Sequence, residues 1–176
     1  MTTLAIERPK ADEHSAYFGR YIDRVPEGDL IALLESQFAE TTALLKRVPR
    51  DREDFAYADG KWTVKEVVGH LSDCERVFAY RALRFARNDP TELASFDENA
   101  WVANANFGGQ RLVDLVDDYS IVRQGTLRLA KGLNAEELAR RGVANGNTAS
   151  VRALFYIIAG HERHHVGLFR ERYQLS

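Results

Sequence analysis

Disulfides, membrane spans and blocks of basic charge are all missing from this chain of 176 residues. Its single cysteine, Cys74, cannot close an intrachain disulfide, and the charged run from Met1 to His14 precedes any apolar stretch of signal-peptide length. No segment approaches the ~18 consecutive apolar residues of a transmembrane helix. The expectation is a soluble protein of a reducing cytoplasm, with no membrane partner. A formal charge of −2, with no Lys/Arg block along the sequence, argues weakly against nucleic-acid binding and leaves room only for a local basic patch. Strand-like alternation of useful length, internal repeats and low-complexity tracts are also lacking.

What remains is ordinary globular composition, 45% hydrophobic and 28% charged, in a chain long enough to bury one core. We expect one domain over 1–176, with residues 1–26 wrapping over it through Tyr17, Phe18, Tyr21 and Ile22. Apolar residues recur at 3/4 spacing in four segments, about 30–47, 64–87, 110–131 and 149–173, each long enough for a main helix. Asp29 is placed to cap the first and Pro49 to end it; Thr63 to Glu66 has the capping-box form that opens the second. Ser95 and Glu98 suggest another box before a short helix at 96–103, Asn134 a cap for a piece ending at Ala139, and 142–147 a loop. The fold class read from this pattern is an all-α four-helix bundle with long connections.

Histidine is where the pattern departs from a plain bundle. On a helical wheel His70 shares the inward stripe of the second helix with Val67, Cys74, Phe78, Arg81 and Phe85, while Glu75 and Arg76 turn away. His161 and His165, at i and i+4, interrupt the core stripe of the last helix, where both can reach one ion. Three inward imidazoles are either satisfied core histidines or ligands of one transition metal. His70 and His165 lie at comparable depths from the start of one helix and the end of the other, so an antiparallel pair brings them level.

Neighbouring residues carry two readings each. Cys74 is a small buried hydrophobe or a fourth soft ligand, and Asp73 is a solvated face residue or an acceptor that orients the His70 ring. His164 falls at the edge of the stripe. Arg81 and Arg172 interrupt core stripes where long side chains snorkel to the bundle end; Arg172 would either hold an anionic group at the pocket mouth or compensate the helix dipole. Trp62, Asp97, Asn99, Trp101 and Phe107 are candidates for pocket lining. His161 to His165 also spells H-E-x-x-H, but no further His or Asp follows to complete a metalloprotease site, so that match is taken as accidental.

Lys61-Trp62-Thr63-Val64-Lys65-Glu66-Val67-Val68-Gly69-His70-Leu71, with Ala159-Gly160-His161-Glu162-Arg163-His164-His165, resembles the DinB/YfiT-like family of metal-dependent proteins. The resemblance implies up-down-down-up topology, often a homodimer, and one divalent ion, nickel or zinc, on His70, His161 and His165. Some relatives are thiol S-transferases using bacillithiol or mycothiol, one branch isomerises maleylpyruvate, and many have no assigned reaction. The working expectation is a metal-activated thiol or water attacking a small electrophile, as in a transferase or a hydrolase. The alternative is a non-catalytic metal-binding, structural or sensing bundle. Three nitrogen ligands with an open position favour catalysis.

Overall fold

A computed structural model describes residues 5–176 and shows seven helices among them. Four are long: α2 (Leu30–Lys46), α3 (Val64–Ala86), α5 (Leu112–Lys131) and α7 (Val151–Glu171). Three are short: α1 (Ala16–Ile22), α4 (Glu98–Asn104) and α6 (Ala135–Ala139). Local chemistry sets the boundaries. Asp29 accepts from the amides of Ile31 and Ala32, Thr63 and Glu66 form the reciprocal box that opens α3, and Ser150 accepts from Ala153 at the start of α7.

Cross-helix pairs give the topology. Leu34 meets Arg123 and Phe38 meets Tyr119, so α2 and α5 run antiparallel. Glu75 with Arg123, and the N-terminal turns of α3 with those of α5, make that pair parallel. The end of α7 sits at the start of α3, where Tyr173 Oη donates to the Trp62 carbonyl at 2.6 Å. The result is a four-helix bundle of up-down-down-up connectivity, with α3 and α7 antiparallel. No helix among the described residues is long and apolar enough to cross a membrane.

Two apolar clusters fill the bundle. One joins Leu44, Val64, Val68, Leu115 and Phe169; the other joins Leu34, Phe78, Phe85, Leu154 and Ile157 at the opposite end. The polar residues described below lie between them.

Three local expectations need correction. Residues 142–147 are not a loop: β1 (Arg141–Ala144) pairs antiparallel with β2 (Asn147–Ser150) across Asn145-Gly146, both at positive φ. That dipeptide is a strong two-residue hairpin signal, and it outweighs the absence of a long alternating run. Leu93 exchanges backbone hydrogen bonds with Val143 and Asn145, so the hairpin pins the long α3–α4 connection. The Ser95–Glu98 box does not form, because Asp97 is the N-cap of α4. Within the N-terminal segment, expected to wrap over the bundle, α1 lies so close on α7 that a Cβ at Gly160 would clash with the Tyr21 carbonyl oxygen. Glu75 does not turn away: α3 packs on both α5 and α7, so its buried face is wider than one stripe.

Candidate metal centre

The α3–α7 contact brings together three imidazoles from two distant stretches of chain. His70, on the second turn of α3, and His161 and His165, one turn apart on α7, are 5–7% exposed. His161 Nε2 lies 3.1 Å from His70 Nε2 and 3.2 Å from His165 Nε2. A neutral ring nitrogen has one in-plane position, either a proton or a lone pair, so His161 Nε2 can satisfy only one of these neighbours. His165 Nδ1 has no hydrogen-bond partner, although it is fully buried. His70 Nδ1 has only the Cys74 sulfur, at 3.5 Å.

These features fit a cation. Ligand nitrogens held at about 2.0–2.1 Å from one ion stand about 3.0–3.4 Å apart, the separation found here. Burial, above all, lowers the basicity of the rings: His70 falls to about 4, with His164 adding a smaller repulsion, and His161 and His165 lie well below the usual imidazole value. All three are therefore neutral at pH 7 with lone pairs free to coordinate. The group could hold a metal ion.

The rings form one wall of a cavity of about 640 Å³. The α3 stripe His70, Cys74, Phe78 and Arg81 runs along it, α1 covers it, and Phe96, Glu98 and the hairpin tip at Asn145 close its far side. Exposed Tyr17 and Arg20 mark where it meets solvent. The Trp62 ring lies 4.6 Å from that of His70, inclined at 47°, and Tyr21 meets both His161 and His164 edge-on. Burial raises the Tyr21 hydroxyl to about 12, so it keeps its proton.

The remaining expected residues divide cleanly. Cys74 and His164 line the cavity with the triad, as does Trp62; burial pushes the Cys74 thiol far up, which keeps it protonated. Asp73 is not beside the His70 ring but 3.5 Å from Arg76, and half-buried. Arg172 is exposed at the end of α7 and does not line the cavity, because the cavity extends from the triad towards the C-terminal half of α3. Trp101 packs on Phe96 outside the lining, Asp97 caps α4, Asn99 is exposed, and Phe107 fills the space over Gly69. Glu162, the acid of H-E-x-x-H, points away from the rings and accepts from Arg123 Nη1 at 2.9 Å. Tyr21 and Arg81 are lining residues that the sequence reading left out. For Arg81 the signal is present in the sequence: it shares the His70 stripe three turns on, although its length also suits snorkelling to the bundle end.

The family model of the DinB superfamily matches residues 33–169, and the chain belongs to that superfamily. Among solved structures it is similar to YfiT from Bacillus subtilis, described as a probable metal-dependent hydrolase with an unusual four-helix bundle topology. The two share 18% identity and a TM-score of 0.74, over 96% of this chain and 92% of YfiT. A DinB-like protein, YjoA of Bacillus subtilis, matches at 19% identity and TM-score 0.61, over 84% of this chain and 90% of that one. A mycothiol-dependent maleylpyruvate isomerase matches at 10% identity and TM-score 0.68, over 83% of this chain but 61% of its own length. No curated protein sequence matches. At these identities the likenesses establish the fold alone.

Proposed function

We propose that the protein is a metal-dependent enzyme in which His70, His161 and His165 hold one divalent ion, nickel or zinc, and a small electrophilic substrate is attacked by a thiol or by water. The observation that carries this reading is the convergence of three neutral, incompletely satisfied imidazole nitrogens on the wall of a roomy cavity. Structural sites close all positions with protein ligands; three ligands beside open space is the catalytic pattern. When bound, such a cation acts as a Lewis acid that makes a coordinated thiol or water nucleophilic at neutral pH.

The chain's own groups supply the rest. Tyr21 Oη accepts from Arg20 Nη2 at 3.2 Å and retains its proton, so it is fitted to donate to a substrate oxygen that gains negative charge. Trp62 packs beside His70 and Phe78 beside His161, so apolar rings border the metal-binding edge of the cavity and lower the local dielectric. The relatives named as a metal-dependent hydrolase and a mycothiol-dependent isomerase are compatible with either nucleophile.

The test is turnover. Metal-loaded wild type, offered low-molecular-weight thiols with a halogenated aromatic electrophile, and separately activated esters, should consume one class at a rate that His161→Ala abolishes. Stoichiometric metal with no turnover across both classes would favour a non-catalytic sensing or structural bundle.

A further inference from the structure

A buried guanidinium with nothing to neutralise it lines the same cavity. Arg81 is 6% exposed, yet it forms no ion pair with any described residue. Its only hydrogen bond among the described residues runs from Nη2 to the Ala94 carbonyl at 2.8 Å, and its charge lies near the rings of Phe78 and Phe96. Nε and Nη1 have no partner among the described residues, and neither is sealed in the core as an orphan atom. They therefore meet the cavity that Arg81 lines.

Arg123, the arginine that is fully buried, is held differently. Arg123 spends all five N–H donors on Glu75, Glu162, Tyr119 and the Leu34 carbonyl. A tether to Ala94 needs one donor of five, and the bundle has elsewhere shown how it satisfies a buried guanidinium when none is meant for a ligand. Glu98, the acid on the same cavity, forms no ion pair with Arg81.

We infer that Arg81 is the binding site for an anionic end group of the substrate: a carboxylate, phosphate or sulfonate carried on an apolar or aromatic body. This rests on the reading of the cavity as a substrate site and adds the class of molecule it takes. The arginine fork matches such groups in bidentate fashion, and its charge repays its own desolvation only when they bind. Phe78, between His161 and Arg81, and Phe96 beyond it offer the apolar body a surface. His70 and Arg81 are eleven residues apart on one face of α3, about 16 Å along the axis, but Arg81 Cζ lies 6.0 Å from the Phe78 ring, whose centroid is 6.3 Å from that of His161. The guanidinium is therefore at most about 12 Å from the His161 ring, which bounds the length of the substrate.

The experiment uses metal-free protein in chelator, so that no anion can bind through a metal. Calorimetric titration compares 4-phenylbutyrate, phenyl phosphate and benzenesulfonate with neutral counterparts, 4-phenylbutanamide, phenyl acetate and benzenesulfonamide. Wild type should bind at least one anion tenfold or more tightly than its neutral partner. Arg81→Gln should abolish that preference while Arg81→Lys keeps part of it, and both variants should retain wild-type circular dichroism and bind the amide normally. A variant that loses amide binding as well is replaced in the comparison by the wild-type preference and its suppression by added chloride. No anion preferred by wild type, or a preference that survives in Arg81→Gln, overturns the inference. Metal binding by the histidines is measured separately, so its failure would be distinct.

Discussion

Two buried polar clusters lie side by side in the middle of the bundle, and successive residues feed them: His161 enters one and Glu162 the other, as do Cys74 and Glu75. The cluster of Arg123, Glu75, Glu162, Gln37 and Tyr119 is closed. Arg123 is fully buried between two carboxylates at 2.7 and 2.9 Å, and among these side chains only Glu162 Oε1 lacks a partner. The histidine cluster is open: its nitrogens crowd one another, one ring nitrogen is orphaned, and a cavity adjoins it. The difference separates a polar group that holds helices in register from one whose partner has to come from outside. Charge was compensated where the chain needed a fixed core, and lone pairs were left free where it needed a ligand.

Arg123→Ala should break the closed cluster most severely, because it strands two buried carboxylates. A loss of about 3–5 kcal/mol in urea denaturation is expected, and a cost below 1 kcal/mol would mean the cluster is not desolvated as described. The open cluster should respond to metal instead. At free metal a hundred times Kd, wild type should gain about 2.7 kcal/mol, seen as a raised Tm, while His165→Ala gains nothing.

Acid sharpens the contrast. Unfolded histidines take protons near pH 6.5, but native His70 resists until about 4, so between those values the unfolded chain binds more protons and stability falls as pH falls. Metal-free protein should lose about 2 kcal/mol between pH 7 and pH 5 from this ring, and a flat profile in wild type would contradict its neutral burial. Gly160→Ala should cost a similar amount, about 2 kcal/mol from overpacking. It should push α1 off α7, uncovering the cavity, detectable as faster amide exchange in Ala16–Ile22 with Arg123 contacts unaffected.

Much of this was legible from spacing. The four long helices follow from 3/4 periodicity, and the Thr63–Glu66 box and Asn134 cap form as their residue types dictate. The triad was legible because i, i+4 histidines and a third at matching depth leave one way to converge. What escaped was whatever depended on a second partner. Glu75 reads as exposed on one helical wheel, and only the neighbouring α5 explains its burial. Arg172 and Arg81 look alike as interruptions of an apolar stripe, yet the cavity extends towards one and away from the other, a choice made by α1, Phe96 and the hairpin. The hairpin itself hangs on Asn145-Gly146, two residues of turn chemistry against a helical background.

Metal content of the purified protein, measured by inductively coupled plasma mass spectrometry after loading with nickel or zinc and desalting, tests the central claim most directly. The account predicts one ion per chain in wild type and none in His161→Ala with its fold intact by circular dichroism. Wild type that retains no ion under either loading condition, or a variant that retains it equally well, would contradict it.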